Sequence, residues 1–132
     1  MTWNGTCRPN VRLLIVDDET GYAEVLCKRM ARRGVSATPA ASGEEAIRIL
    51  YSDDFDVAIV DLKLEGMDGV EILKVFKLMA PDMPVVMLTG HSSEEARDAC
   101  MKLGAEGYLS KPIDFERLLI KTLHLGGRRA DA

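Results

Sequence analysis

Aromatic side chains are scarce in this chain, at 5% of 132 residues, and histidine occurs only at His91 and His124. Two histidines so far apart exclude a histidine-built metal cluster. Cys7, Cys27 and Cys100 are odd in number, widely spaced and without a C-x-x-C pair. They are expected to be reduced packing thiols of a cytoplasmic protein, not a disulfide frame or a zinc site. Basic charge is not in excess: the formal net charge is −4, which argues against binding to nucleic acid or to an anionic membrane surface. No apolar run approaches the roughly 18 residues of a membrane span. The opening MTWNGTCRPN lacks the basic-then-apolar order of a secretory signal. The glycine patterns of Rossmann and P-loop nucleotide sites are also missing. What remains is ordinary, with 47% apolar and 29% charged residues in a chain the size of one domain with a buried core.

The most informative stretch is Asp56 to Gly69, DVAIVDLKLEGMDG. Its apolar run Val57-Ala58-Ile59-Val60 stops on Asp61, as a strand buried on both faces does when it reaches the sheet edge. Four further runs behave similarly. Val11–Val16 ends on Asp17-Asp18-Glu19, and Val35–Pro39 is a weaker strand whose proline either demotes it to an edge or marks its end. Val85–Leu88 ends on Thr89-Gly90, and Gly107–Leu109 ends on Ser110-Lys111-Pro112. Helical spacing lies between them. Tyr22, Ala23, Leu26, Cys27 and Met30 form one apolar stripe. Ser42-x-x-Glu45 and Ser92-x-x-Glu95 read as capping boxes, and Asp114 as the cap of a last helix. Residues 1–10 are expected as a polar lead-in, 11–125 as the single domain and 126–132 as a flexible Gly-rich tail. Strict alternation of strand and helix predicts a parallel sheet covered on both faces.

In a parallel sheet these strand ends share one edge, where α/β folds bind their ligands. Asp17, Asp18, Asp61, Thr89 and Lys111 would then converge. Carboxylates that converge repel one another, and Mg²⁺ is the natural counter-charge because it prefers oxygen ligands. The same cation would neutralise phosphoryl oxygens during transfer, with Lys111 and the Thr89 hydroxyl contacting others. Asp61 is then placed as the nucleophile.

These motifs in this order make the chain resemble a response-regulator receiver domain of two-component signalling, of the chemotaxis-regulator type. The resemblance covers about Val11 to Leu125. It implies a flavodoxin-like (βα)5 fold, a doubly wound parallel five-stranded sheet in the order 2-1-3-4-5. It further implies Asp61 as phosphoacceptor, Asp17 and Asp18 as the Mg²⁺-binding acidic pair and the Lys63 carbonyl as a backbone ligand. Lys111 matches the phosphate-contacting lysine, with a cis bond to Pro112, and Thr89 and Tyr108 match the switch pair. A histidine kinase or phosphotransfer protein would be the donor, and a downstream protein would bind the 92–124 face. Lys63 and His91, with the small Gly90, stand where the family tunes the lifetime of the phosphorylated state. Glu65 departs from the proline that many receivers carry in this loop.

Three other readings stand beside it. A phosphatase with an Asp nucleophile would carry D-x-D on its first strand, whereas this chain has adjacent Asp17-Asp18 and its nucleophile on the third. A flavodoxin-like cofactor binder shares only the sheet. The third keeps the receiver but makes it a piece of a longer transcriptional or enzymatic regulator.

Overall fold

Strands and helices alternate along the chain as β1 (Val11–Val16), α1 (Thr20–Ala31), β2 (Val35–Ala40), α2 (Gly43–Ser52), β3 (Val57–Val60), α3 (Gly69–Met79), β4 (Val85–Thr89), α4 (Glu94–Lys102), β5 (Gly107–Ser110) and α5 (Phe115–Ala130). The computed structural model describes residues 10–130. Its five strands are parallel, in the order β2-β1-β3-β4-β5, the expected 2-1-3-4-5 arrangement.

The strand sequences explain why both faces must be covered. Side chains alternate across a strand, and β3 sends Val57 and Ile59 to one face and Ala58 and Val60 to the other. The first face joins Leu13, Ile15, Val86 and Leu88 to Ala23, Leu26 and Met30 of α1 and to Leu118 and Leu119 of α5. The second joins Leu14, Val16, Val85 and Met87 to Ile72, Leu73 and Phe76 of α3 and to Cys100 of α4. Every residue of β3 and β4 is buried. β2 is an edge strand, as its proline allowed, with Pro39 opposite Ile15. Cys27 and Cys100 are free thiols; Cys7 and all of the lead-in but Asn10 lie outside the described residues.

Three local expectations need correction. The α4 cap is Ser93, not Ser92: its side chain accepts from the Ala96 N–H at 3.1 Å. The Ser42 cap stands, with Ser42 Oγ accepting from the Glu45 N–H at 3.1 Å, while the Glu45 carboxylate takes the Ala41 N–H at 2.6 Å. The last helix does not stop at 125 but continues to Ala130. Gly126 lies so close to the sheet that an added Cβ would sit 2.5 Å from Val11 Cγ1 and 3.0 Å from Val57 Cγ1. It is a helix-to-sheet contact, not the start of a tail. Tyr22, finally, leaves the apolar stripe of α1: it is 37% exposed, while Ala23 and Leu26 beside it are buried.

Candidate functional site

The sheet's hydrogen bonding runs one residue past the strands and fixes the backbone of three chemically important positions. The Asp17 N–H donates to Ala40 O at 3.0 Å, the Asp61 N–H to Val16 O at 2.9 Å and the Lys111 N–H to Thr89 O at 2.7 Å. The ends of β1, β3 and β5 are thereby brought to one edge with little backbone freedom. After Asp61 the chain turns through Gly66, at φ +80, into α3, whose cap is Asp68 accepting from the Glu71 N–H at 3.0 Å. Gly69 closes the turn. Its N–H donates to Leu62 O at 3.0 Å, and a Cβ there would collide with the Asp61 carbonyl oxygen and Leu62 Cα.

Lys111 organises the side chains. Its ammonium lies 3.0 Å from Asp17 Oδ2, 3.1 Å from Glu19 Oε1 and 3.5 Å from Asp61 Oδ2. Asp17 and Asp61 are buried, whereas Glu19 reaches in from solvent. Three carboxylates facing one ammonium leave negative charge in excess. Burial pushes the Asp61 carboxyl above its usual range, against the opposing pull of the Lys63 N–H at 3.1 Å and of Lys111. Burial works against the charge on Lys111 too, but the bonds to Asp17 and Glu19 outweigh it and hold the ammonium firmly protonated.

Asp17, Glu19 and Asp61 each offer an oxygen within 4.8 Å of the others. An all-oxygen, anionic donor set of this kind fits a hard divalent cation. The membership differs from the expected one: Asp18 is exposed and outside the group, and Glu19 stands in it. The Glu19 N–H donates to Asp17 Oδ1 at 2.9 Å, tying the turn that carries Glu19 to the pocket. The third carboxylate of Asp17-Asp18-Glu19 was the available signal. Tyr22 was missed altogether: its ring centroid is 4.6 Å from the Lys111 ammonium, and helical periodicity carries no hint of that.

Thr89 is fully buried, and its Oγ1 accepts from the His91 N–H at 2.9 Å. Tyr108 packs inward among the side chains of the α3 and α4 face. Its buried hydroxyl has no hydrogen-bond partner among the described residues. The Lys111–Pro112 bond is cis. Lys63 and His91 are both exposed and, with Leu62, Asp68, Val70 and Ser93, line an open cavity of about 430 Å³ beside Asp61. Gly90 is exposed, with open space where a side chain would stand, and Glu65 is an exposed loop residue. Among the described residues, no helix is long and apolar enough to cross a membrane.

The family model of the response regulator receiver domain matches residues 13–123. Transcriptional regulatory protein GlrR of Escherichia coli K12 is 36% identical over 106 residues, which are 80% of this chain and 24% of that protein. Response regulator MprA of Mycolicibacterium vanbaalenii is 33% identical over 84% of this chain and 48% of its own length. The chain therefore spans about a quarter to a half of these relatives. Among solved structures, a CheY-like receiver domain protein from Methanospirillum hungatei superposes with a TM-score of 0.88 at 29% identity, covering 92% of this chain and 98% of that one. TrrA of Thermotoga maritima, solved in complex with Mg²⁺-BeF, gives 0.78 at 29% identity over 87% and 98% of the two chains. The matched span runs through the ends of β1, β3, β4 and β5, where the buried charge collects, and the chain belongs to the response regulator receiver domain family.

Proposed function

We propose that Asp61 is the phosphoacceptor of this receiver domain and takes its phosphoryl group from the phosphohistidine of a histidine kinase or phosphotransfer protein. The observation that carries this is the convergence of Lys111 on Asp17, Glu19 and Asp61. It collects a nucleophile, a cation-ready acidic pocket and a phosphate-contacting ammonium within a few ångströms. A carboxylate oxygen of Asp61 forms the O–P bond as the P–N bond to the donor imidazole breaks, leaving the electron pair on the ring nitrogen. Mg²⁺ bound in the pocket supplies the charge that neutralises the transferring oxygens. Asp17 and Asp61 would hold it with Asp18 and the Lys63 carbonyl as the expected further ligands, and Glu19 is a third carboxylate within reach. The complex of TrrA with Mg²⁺-BeF supports this choice of cation.

The domain then acts as a switch rather than as a turnover enzyme. Charge on Asp61 draws the Thr89 hydroxyl away from the His91 N–H, with Tyr108 packed behind it, and biases the 92–124 face toward a downstream protein. DNA contact belongs to longer relatives, and a cytoplasmic setting fits a partner of this kind. Lys63 and His91, both facing the cavity beside Asp61, set the lifetime of the acyl phosphate, with Gly90 leaving it accessible. Unchanged dephosphorylation in Lys63→Asn and His91→Ala would contradict that assignment.

The test is intact mass after incubation with acetyl phosphate, with and without Mg²⁺. A Mg²⁺-dependent, alkali-labile phosphate adduct, absent from Asp61→Ala, is expected. An adduct that persists in Asp61→Ala would overturn the assignment.

A further inference from the structure

Lys111 reaches the acidic pocket on a flexible four-carbon stem whose base is fixed by the backbone bond to Thr89 O. Carboxylates alone do not hold such an ammonium where transfer needs it. Glu19 is well exposed, with its side chain at 66% of full accessibility. It engages the ammonium from the solvent side, while the buried Asp17 engages it from within. An oxygen that binds the ammonium also occupies an N–H that a phosphoryl oxygen requires.

Tyr22 supplies a restraint of a different kind. Its ring lies over the Lys111 ammonium with the centroid at 4.6 Å, within the range of a cation–π contact. The π face attracts the charge but offers no lone pair directed at a single N–H. The ammonium is thus confined on one side by a surface that takes none of its N–H groups, while oxygens engage it on the other. Tyr22 is not a core residue, since it is 37% exposed and stands outside both core clusters while its helix neighbours Ala23 and Leu26 are buried. The phenol also shares its surroundings with Lys111, Asp17, Glu19 and Asp61.

We propose that Tyr22 is a positioning residue for phosphoryl transfer, its ring face holding the Lys111 ammonium over the pocket; this rests on the reading of Asp61 as phosphoacceptor. Two measurements on the full chain test it. In NMR spectra the Lys111 ε-methylene protons are expected to be shifted upfield by the ring current in the wild type and in Tyr22→Phe, and to lose that shift in Tyr22→Leu. The rate of Mg²⁺-dependent adduct formation from acetyl phosphate is expected to fall about three- to tenfold in Tyr22→Leu and to stay within about twofold of wild type in Tyr22→Phe. Tyr22→Leu keeps apolar bulk, so a general packing role would leave its rate near that of wild type.

A Tyr22→Leu rate equal to wild type, or a Tyr22→Phe rate as low as that of Tyr22→Leu, would overturn the role of the ring. A wild-type Lys111 without the upfield shift would overturn the geometry. No adduct on the wild-type chain would overturn the functional reading itself, and is distinguishable from either.

Discussion

The two edges of the sheet carry charge in opposite ways. At the edge where the strands begin, charges meet in one-to-one pairs. Arg12 pairs with Asp53 at 2.8 Å, and the Asp56 carboxylate accepts the Arg12 backbone N–H at 2.9 Å. Lys77 pairs with Glu106 at 2.9 Å, and Glu106 also takes the Val85 N–H at 2.9 Å. These contacts tie helix and loop residues to strand beginnings. At the edge where the strands end, Asp17, Glu19 and Asp61 share the single ammonium of Lys111. Balanced pairs hold a fold together. An unbalanced, partly buried cluster is suited to taking up a charge from outside, as the proposed chemistry requires.

Substitutions at the two edges should therefore separate stability from function. The largest effect is expected from Gly69→Ala, which forces a methyl into the backbone of Asp61 and Leu62. A loss of about 3 kcal/mol is expected, together with loss of phosphorylation because the acceptor's own loop shifts; urea melts and adduct mass report the two. Glu106→Ala should come next. It strands the largely buried Lys77 ammonium and the Val85 N–H, for a cost of about 1–3 kcal/mol. Adduct formation should be unchanged, because the edge it disturbs holds no reacting group. Asp53→Ala should be smallest: Arg12 and Asp53 are exposed at 43% and 51%, and such pairs are heavily screened. Its melting temperature should match that of wild type. A measurable loss there would blur the contrast between the edges.

Much of this organisation was legible in the chain. Apolar runs that stop on Asp17, Asp61, Thr89 and Lys111 give both the strands and the edge they share, because a parallel sheet leaves no other place for those residues. Pro39 marked the edge strand for the simple reason that it has no N–H to give. What was not legible depends on how side chains turn. Glu19 reaches Lys111 through the turn after Asp17, and no spacing rule encodes that. Tyr22 fits a helical stripe by position, yet its ring leaves the core for Lys111. Gly126 and Gly127 read as the start of a flexible tail, since glycine is a poor helix former. The helix nevertheless continues, because Gly126 is where it presses on Val11 and Val57.

The most direct test of the charge-imbalance account is the thermal stability of wild type and Asp61→Asn at pH 7, each without and with Mg²⁺. Burial raises the Asp61 carboxyl in the folded chain. The folded state therefore binds the proton more tightly than the unfolded state, and stability falls as pH rises through the window between the two values. Below the unfolded value of about 3.9 wild type and Asp61→Asn should melt alike in this respect. At pH 7, without Mg²⁺, Asp61→Asn is expected to be the more stable, and added Mg²⁺ should raise the wild-type melting temperature much more than that of the variant. If Asp61→Asn were no more stable than wild type at pH 7, and Mg²⁺ shifted both equally, the strand-end edge would hold no charge in need of a cation, and the account would fail.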